Sequence, residues 1–309
     1  MELPEQTRTD VMPPVERRGA GVRRPQGAAP LGTALAAVFA LAIGWTWWRT
    51  GGWVVPSADE GASAVPLAGS LLAAALALAA TRLLPPRLDT VVPRTVDRPA
   101  VARETVVLVL CALAFPLTGF VPGPPEAYVL WKVGLLIALP GAYLGWRRRR
   151  RGPSLRIGRP RHGVPVSVWA LLPAASYVAM TQFGPLAPAV PDGWPDPVTL
   201  AVTAVVTALT AGVGEEVFYR YWLQSRLEAL AGRWTGILAA SLFFALMHVV
   251  SHSAGLEPDL AVTTVIASQG VTGLVLGYLW SRYRRLWACI LVHVALNGTL
   301  VALHLGGLA

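Results

Sequence analysis

Nine apolar stretches, each 17 to 26 residues long, run through this chain, near 31–48, 65–81, 104–121, 127–146, 164–184, 200–225, 234–252, 259–281 and 286–307. A helix rises 1.5 Å per residue, so about 20 apolar residues cross a hydrocarbon core roughly 30 Å thick. Lipid offers no hydrogen bonds to the backbone, so segments of this length must satisfy their own peptide groups as helices. The expected fold is therefore all-α: a polytopic transmembrane helical bundle of about nine spans. Composition agrees, since 54% of the 309 residues are hydrophobic and only 14% charged, against about 25% charged in soluble domains.

The formal charge of +9 raises the question of nucleic acid. Its distribution answers otherwise. Arginines gather before the first stretch (Arg17, Arg18, Arg23, Arg24), after the second (Arg82, Arg87, Arg94, Arg98, Arg103), after the fourth (Arg147 to Arg151), after the sixth (Arg226, Arg233) and after the eighth (Arg282, Arg284, Arg285). The alternate connections carry Asp59, Glu60, Glu126, Asp192, Asp196, Glu257 and Asp259. This is the positive-inside pattern, which predicts a cytoplasmic N-terminus and an outward C-terminus. Arginines at a membrane surface meet anionic lipid, so no nucleic-acid partner is expected. Trp45, Trp47, Trp48, Trp146, Trp222, Trp234, Trp280 and Trp287 fall at segment ends, where indoles favour the headgroup region. The first stretch ends in "GWTWWRT", too bulky for signal-peptidase cleavage, and reads as a retained span. The two cysteines, Cys111 and Cys289, lie in apolar stretches and offer neither a disulfide framework nor zinc-ligand spacing.

Residues 1–30, rich in Pro, Arg and Gly, read as a disordered cytoplasmic tail. The loop 82–103 is expected to lie along the membrane surface. The basic connection "RRRRRGPSLRIGRPRHG" over 147–163 is the best internal boundary. It separates an N-terminal extension, 31–163, of four spans with almost no ionisable residue at depth from a C-terminal part, 164–309, of five spans holding the polar chemistry. No internal repeat is evident.

Ionisable residues within apolar spans cost several kcal/mol unless they find partners, so the few present are informative. They are Glu215, Glu216 and Arg220 on the sixth span, His248 and His252 on the seventh, and His293 on the ninth, with Asn297 one turn on. Measured from the nearest boundary arginines, Glu215, His248 and His293 lie roughly 16, 22 and 12 Å deep, close enough for convergence in one cavity. Glu216 and Arg220 are four apart and can pair, while Glu215 points about 100° away. Adjacent carboxylates in a low dielectric suit one of them to general-base work. His293 and Asn297 share a face and can hold a developing oxyanion. His248 can polarise a water with Glu215, or bind a metal with His293.

The segments "EEVFYR" (Glu215, Glu216, Arg220), "FALMH" (Phe244, His248) and "HVALN" (His293, Asn297) resemble the three motifs of the CPBP family, the type II CAAX prenyl proteases and their bacteriocin-processing relatives. The resemblance covers roughly residues 165–307 and places a CAAX-protease-like core in the C-terminal half. It implies an intramembrane endopeptidase in which Glu215 and His248 activate a water, His293 and Asn297 form the oxyanion hole, and Glu216 and Arg220 supply orientation and charge balance. A metal-independent mechanism without a cofactor is expected, the alternative being zinc held by His248, His293 and Glu215. Expected partners are the lipid bilayer and a membrane-protein, lipidated or hydrophobic-peptide substrate. An Ala- and Arg-rich composition is similar to that of GC-rich bacteria, which suggests a bacterial plasma membrane. Two other functions fit the polar cluster: a proton-coupled transporter relaying protons through the glutamates, and a non-catalytic scaffold or immunity protein. Phe244 reads as core or pocket wall, and His252 as a residue of the outer interface.

Overall fold

The fold is described from a computed structural model over residues 28–55, 63–85, 93–124, 126–158, 166–183, 189–190, 193–252 and 255–308. Among these residues it is all-helical save for two short strand pairs. The helices are α1 Ala28–Thr50, α2 Leu67–Leu83, α3 Arg98–Leu117, α4 Glu126–Arg151, α5 Val166–Gln182, α6 Pro197–Ala231, α7 Arg233–Leu246, α8 Pro258–Tyr283 and α9 Leu286–Leu305. Each corresponds to one of the nine apolar stretches. Six are long and apolar enough to cross a membrane, namely α1, α3, α4, α6, α8 and α9, although α1 counts from Pro30. The helices α2 and α7 are shorter, at 17 and 14 residues.

Several boundaries differ from expectation. The helix α3 starts at Arg98, inside the loop expected over 82–103, because Asp97 caps it by accepting from Ala100 N at 3.0 Å. At its other end α7 stops before His248, whose amide bonds back three residues to Ala245 at 2.9 Å and tightens the chain into a turn. Of the expected N-terminal tail, residues 1–27 lie outside the described residues, and Ala28 already belongs to α1. His162, Asp59, Glu60, Asp192, the tail arginines and Arg87, Arg159 and Arg161 of the loops also lie outside them.

Both strand pairs are antiparallel two-residue ladders. One, β1 Trp53–Val54 with β2 Val65–Pro66, links α1 to α2. The other, β3 Arg94–Thr95 with β4 Leu155–Arg156, ties the segment before α3 to the segment after α4. Polar ties mark the two ends of the bundle. At one end Arg49 and Trp45 of α1 both donate to Asp259 at the start of α8, at 2.7 and 2.8 Å. At the Arg-rich end Arg282 of α8 donates to the carbonyl of Leu84, just past α2, at 3.2 Å.

The helices α6 and α7 form the tightest hairpin. Gly232, at φ 90°, makes the turn. Gly236 then lies so close to α6 that a Cβ there would stand 2.5 Å from the backbone nitrogen of Glu228. The helix α6 contains wide π turns over Ala208–Glu215 and Val217–Gln224, and α4 has another over Gly134–Ala138. Mixing turns wider than 3.6 residues with ordinary ones keeps a four-residue spacing on one line. As a result Glu216, Arg220, Gln224 and Glu228 are all buried along one face of α6.

Candidate active site

Each polar residue singled out from the sequence has a definite place. Glu215 and Glu216 are buried where the two π stretches of α6 meet. Arg220, one turn on and fully buried, donates from Nε to Glu216 Oε2 at 3.2 Å. Its guanidinium carbon lies 4.8 Å from the centre of the Phe244 ring on α7, whose negative face favours a cation.

The other oxygen of Glu216, Oε1, stands 2.8 Å from His293 Nδ1 on α9. An ionised carboxylate only accepts, so Nδ1 carries the proton and Nε2 is turned to the remaining side. That nitrogen lies 3.8 Å from Glu215 Oε2, beyond hydrogen-bond reach. Glu215 Oε2 is buried and has no hydrogen-bond partner among the described residues. Its sister oxygen Oε1 is held at 2.5 Å by Lys132 Nζ of α4.

His248 lies in the turn after α7 and is half-buried. Its Nδ1 is 2.8 Å from the Phe244 carbonyl, an acceptor, so again Nδ1 donates and Nε2 is the basic nitrogen. The Phe244 ring packs edge-on against both imidazoles, with centroids 5.1 Å from His248 and 5.8 Å from His293. Tyr219 packs against the same ring at 5.4 Å, and its buried hydroxyl has no hydrogen-bond partner among the described residues. Phe244 is thus the wall shared by the carboxylate helix and both histidines.

Asn297 is exposed, one turn beyond His293, and no hydrogen bond of the cluster includes its amide. His252 is half-buried, with Nδ1 3.1 Å from the His248 carbonyl. Among the described residues no group of three or more His, Cys, Asp and Glu is arranged to hold a metal ion.

One buried cation corrects the expectation that the first four spans are nearly free of ionisable groups at depth: Lys132, paired with Glu215. A second buried cation, Arg147 at the Arg-rich end of α4, joins a clamp around Glu104 of α3 that burial alone would make costly. Glu104 accepts from Arg147 Nη1 at 2.9 Å, from Arg226 Nε of α6 at 2.8 Å and from Ser154 Oγ at 2.8 Å. A lone Lys or Glu within an apolar stretch was the available signal, since each must find a partner.

No curated protein and no solved structure matches the chain. A family model described as "Type II CAAX prenyl endopeptidase Rce1-like" matches residues 197–299, from the start of α6 to the middle of α9. The matched segment contains every residue of the three motifs. The C-terminal part of this multi-helix membrane chain therefore carries an Rce1-like type II CAAX prenyl endopeptidase (CPBP) domain.

Proposed function

We propose that the chain is an intramembrane endopeptidase that hydrolyses a peptide bond within or beside the bilayer, using Glu215 and His248 to activate water. The observation that carries this reading is the state of Glu215. One oxygen is fixed by a cation, and the other is buried, unpartnered and turned towards His293 Nε2. A buried carboxylate oxygen without a donor is costly in an apolar core, and a water or a substrate amide is what satisfies it.

In the proposed reaction a water gives a proton to Glu215 or to His248 Nε2 as its oxygen adds to the scissile carbonyl carbon. The carbonyl oxygen becomes an oxyanion, for which His293 Nε2 and the Asn297 amide are the donors. Donation from Nε2 needs an imidazole ring carrying both protons, with Nδ1 facing the Glu216 carboxylate. The exposure of Asn297 leaves its amide open to an arriving substrate. Collapse of the intermediate breaks the C–N bond, and the proton taken from water passes to the leaving amine. Glu216 and Arg220 orient the histidine and balance charge.

The substrate class is a membrane protein or a hydrophobic or lipidated peptide, in keeping with the family's name and the apolar surroundings of the site. The proposed setting is a plasma membrane with the Arg-rich connections and N-terminus inside and the C-terminus outside. In this reading the first four spans form an extension to a protease core over 164–309.

The test compares peptide termini in membranes and medium of cells carrying the wild type or Glu215→Gln. Termini present with the wild type and lost with the variant, at equal protein level, are the expected result and identify the substrate. Identical profiles would sink the endopeptidase reading. Stoichiometric zinc in the purified protein, lost on His248→Ala, would replace the metal-free mechanism with a metal-dependent one.

A further inference from the structure

The ammonium of Lys132 is the closest charged partner of Glu215, yet it comes from α4, outside the matched residues 197–299. We propose that Lys132 is a positioning residue of the active site: it takes Glu215 Oε1 and thereby leaves Oε2 as the single carboxylate oxygen presented to water and to His293. The inference rests on the reading of Glu215 as the base.

Three observations carry it. First, Lys132 is buried, with its side chain only 10% exposed, in a helix whose other ionisable residues sit at its ends. Lysines near helix ends reach out to the interface. This one turns inward, where its only ion-pair partner among the described residues is Glu215, and the ring of Tyr128 lies 5.7 Å from its Nζ. Second, the two oxygens of Glu215 are treated differently, one held at 2.5 Å and the other unpartnered and 3.8 Å from His293 Nε2. An arrangement serving charge balance alone has no need of that asymmetry.

Third, the placement of α4 is built in rather than incidental. Arg147, at the far end of the same helix, and Arg226 of α6 both bind Glu104, which locks the register of α3, α4 and α6. Ile137, in the π turn just after Lys132, lies against Gly214, the residue before Glu215. The wide turn of α4 thus meets the wide turn of α6 beside the pair. Without α4, Glu215 would lose the ammonium that holds Oε1, so the matched segment alone is an incomplete site.

The experiment adds purified full-length protein to solubilised membranes from cells lacking it. It follows the initial rate at which Glu215-dependent termini form, per folded molecule. Lys132→Met is expected to lower that rate at least 100-fold while the folded protein is still recovered, and Lys132→Arg to restore it to within about tenfold of wild type. A purely structural ion pair would lower stability without this loss of rate in the folded fraction. Should Lys132→Met fail to fold, Lys132→Gln takes its place: its amide nitrogen sits one bond nearer the backbone than Nζ and cannot hold Oε1 as the ammonium does, so its rate must also fall. Folded Lys132→Met or Lys132→Gln protein that cleaves at the wild-type rate or faster, with Glu215→Gln inactive, overturns this inference alone. A Glu215→Gln protein that still cleaves removes the base reading and this inference with it.

Discussion

His293 Nδ1 on α9 and Glu216 Oε1 on α6 stand 2.8 Å apart, both buried, and the second oxygen of the same carboxylate holds Arg220. One side chain thus fixes a histidine and an arginine at once. Carboxylates in this position set the tautomer and orientation of an imidazole whose other nitrogen works.

The pair therefore predicts that Glu216→Gln impairs turnover without touching the base. The amide oxygen can still accept from Nδ1 but carries no charge, and the substitution leaves Arg220 without its anion. Cleavage per folded molecule is expected to fall about 10- to 100-fold. The lost partner of a buried charge is expected to cost about 3–5 kcal/mol of stability. Combining Glu216→Gln with Arg220→Met should recover part of that stability but none of the rate, as read by thermal unfolding in detergent beside the termini assay.

Arg284 predicts a contest between backbone and side chain. It caps α8 at φ 51°, the left-handed region that a glycine occupies more easily. Relief of that strain in Arg284→Gly is worth about 1 kcal/mol. Against it stands the buried ion pair of Arg284 with Glu228, whose loss leaves an uncompensated carboxylate at about 3–5 kcal/mol. The net expectation is destabilisation, seen as a lower midpoint of thermal unfolding. A higher midpoint would show that the strain outweighs the pair.

Glycines in different helices predict opposite outcomes for the same substitution. At Gly236 a Cβ would meet the backbone of Glu228 at 2.5 and 2.8 Å, and backbone cannot step aside without parting α6 from α7. Gly236→Ala is expected to cost about 3 kcal/mol or more and to reduce the folded yield. At Gly44, inside α1, nothing lies within 4 Å of a Cβ. Gly44→Ala is expected to stabilise by about 0.4–1 kcal/mol through helix propensity and unfolded-state entropy. Thermal unfolding of both variants checks the pair of signs.

Much of this architecture could be read directly from the residues, for local reasons. Apolar run length is a property of consecutive positions, so all nine helices corresponded to stretches visible in the chain. The Glu216–Arg220 pair was equally legible, because four-residue spacing places two side chains on one helix face whatever surrounds them. Rarity of charge in oil singled out Glu215, His248 and His293 for the same kind of reason.

What the tertiary structure alone decided is which helix faces which. Hydropathy is nearly uniform around a span, so it says nothing about lateral neighbours, and residues far apart in the chain meet only through packing. That is why Lys132 against Glu215, the Glu104 clamp and the turning of His293 Nδ1 onto Glu216 could not be foreseen. Local chemistry determined the helices and most of the reactive groups, whereas the crossing of helices in three dimensions determined their partners.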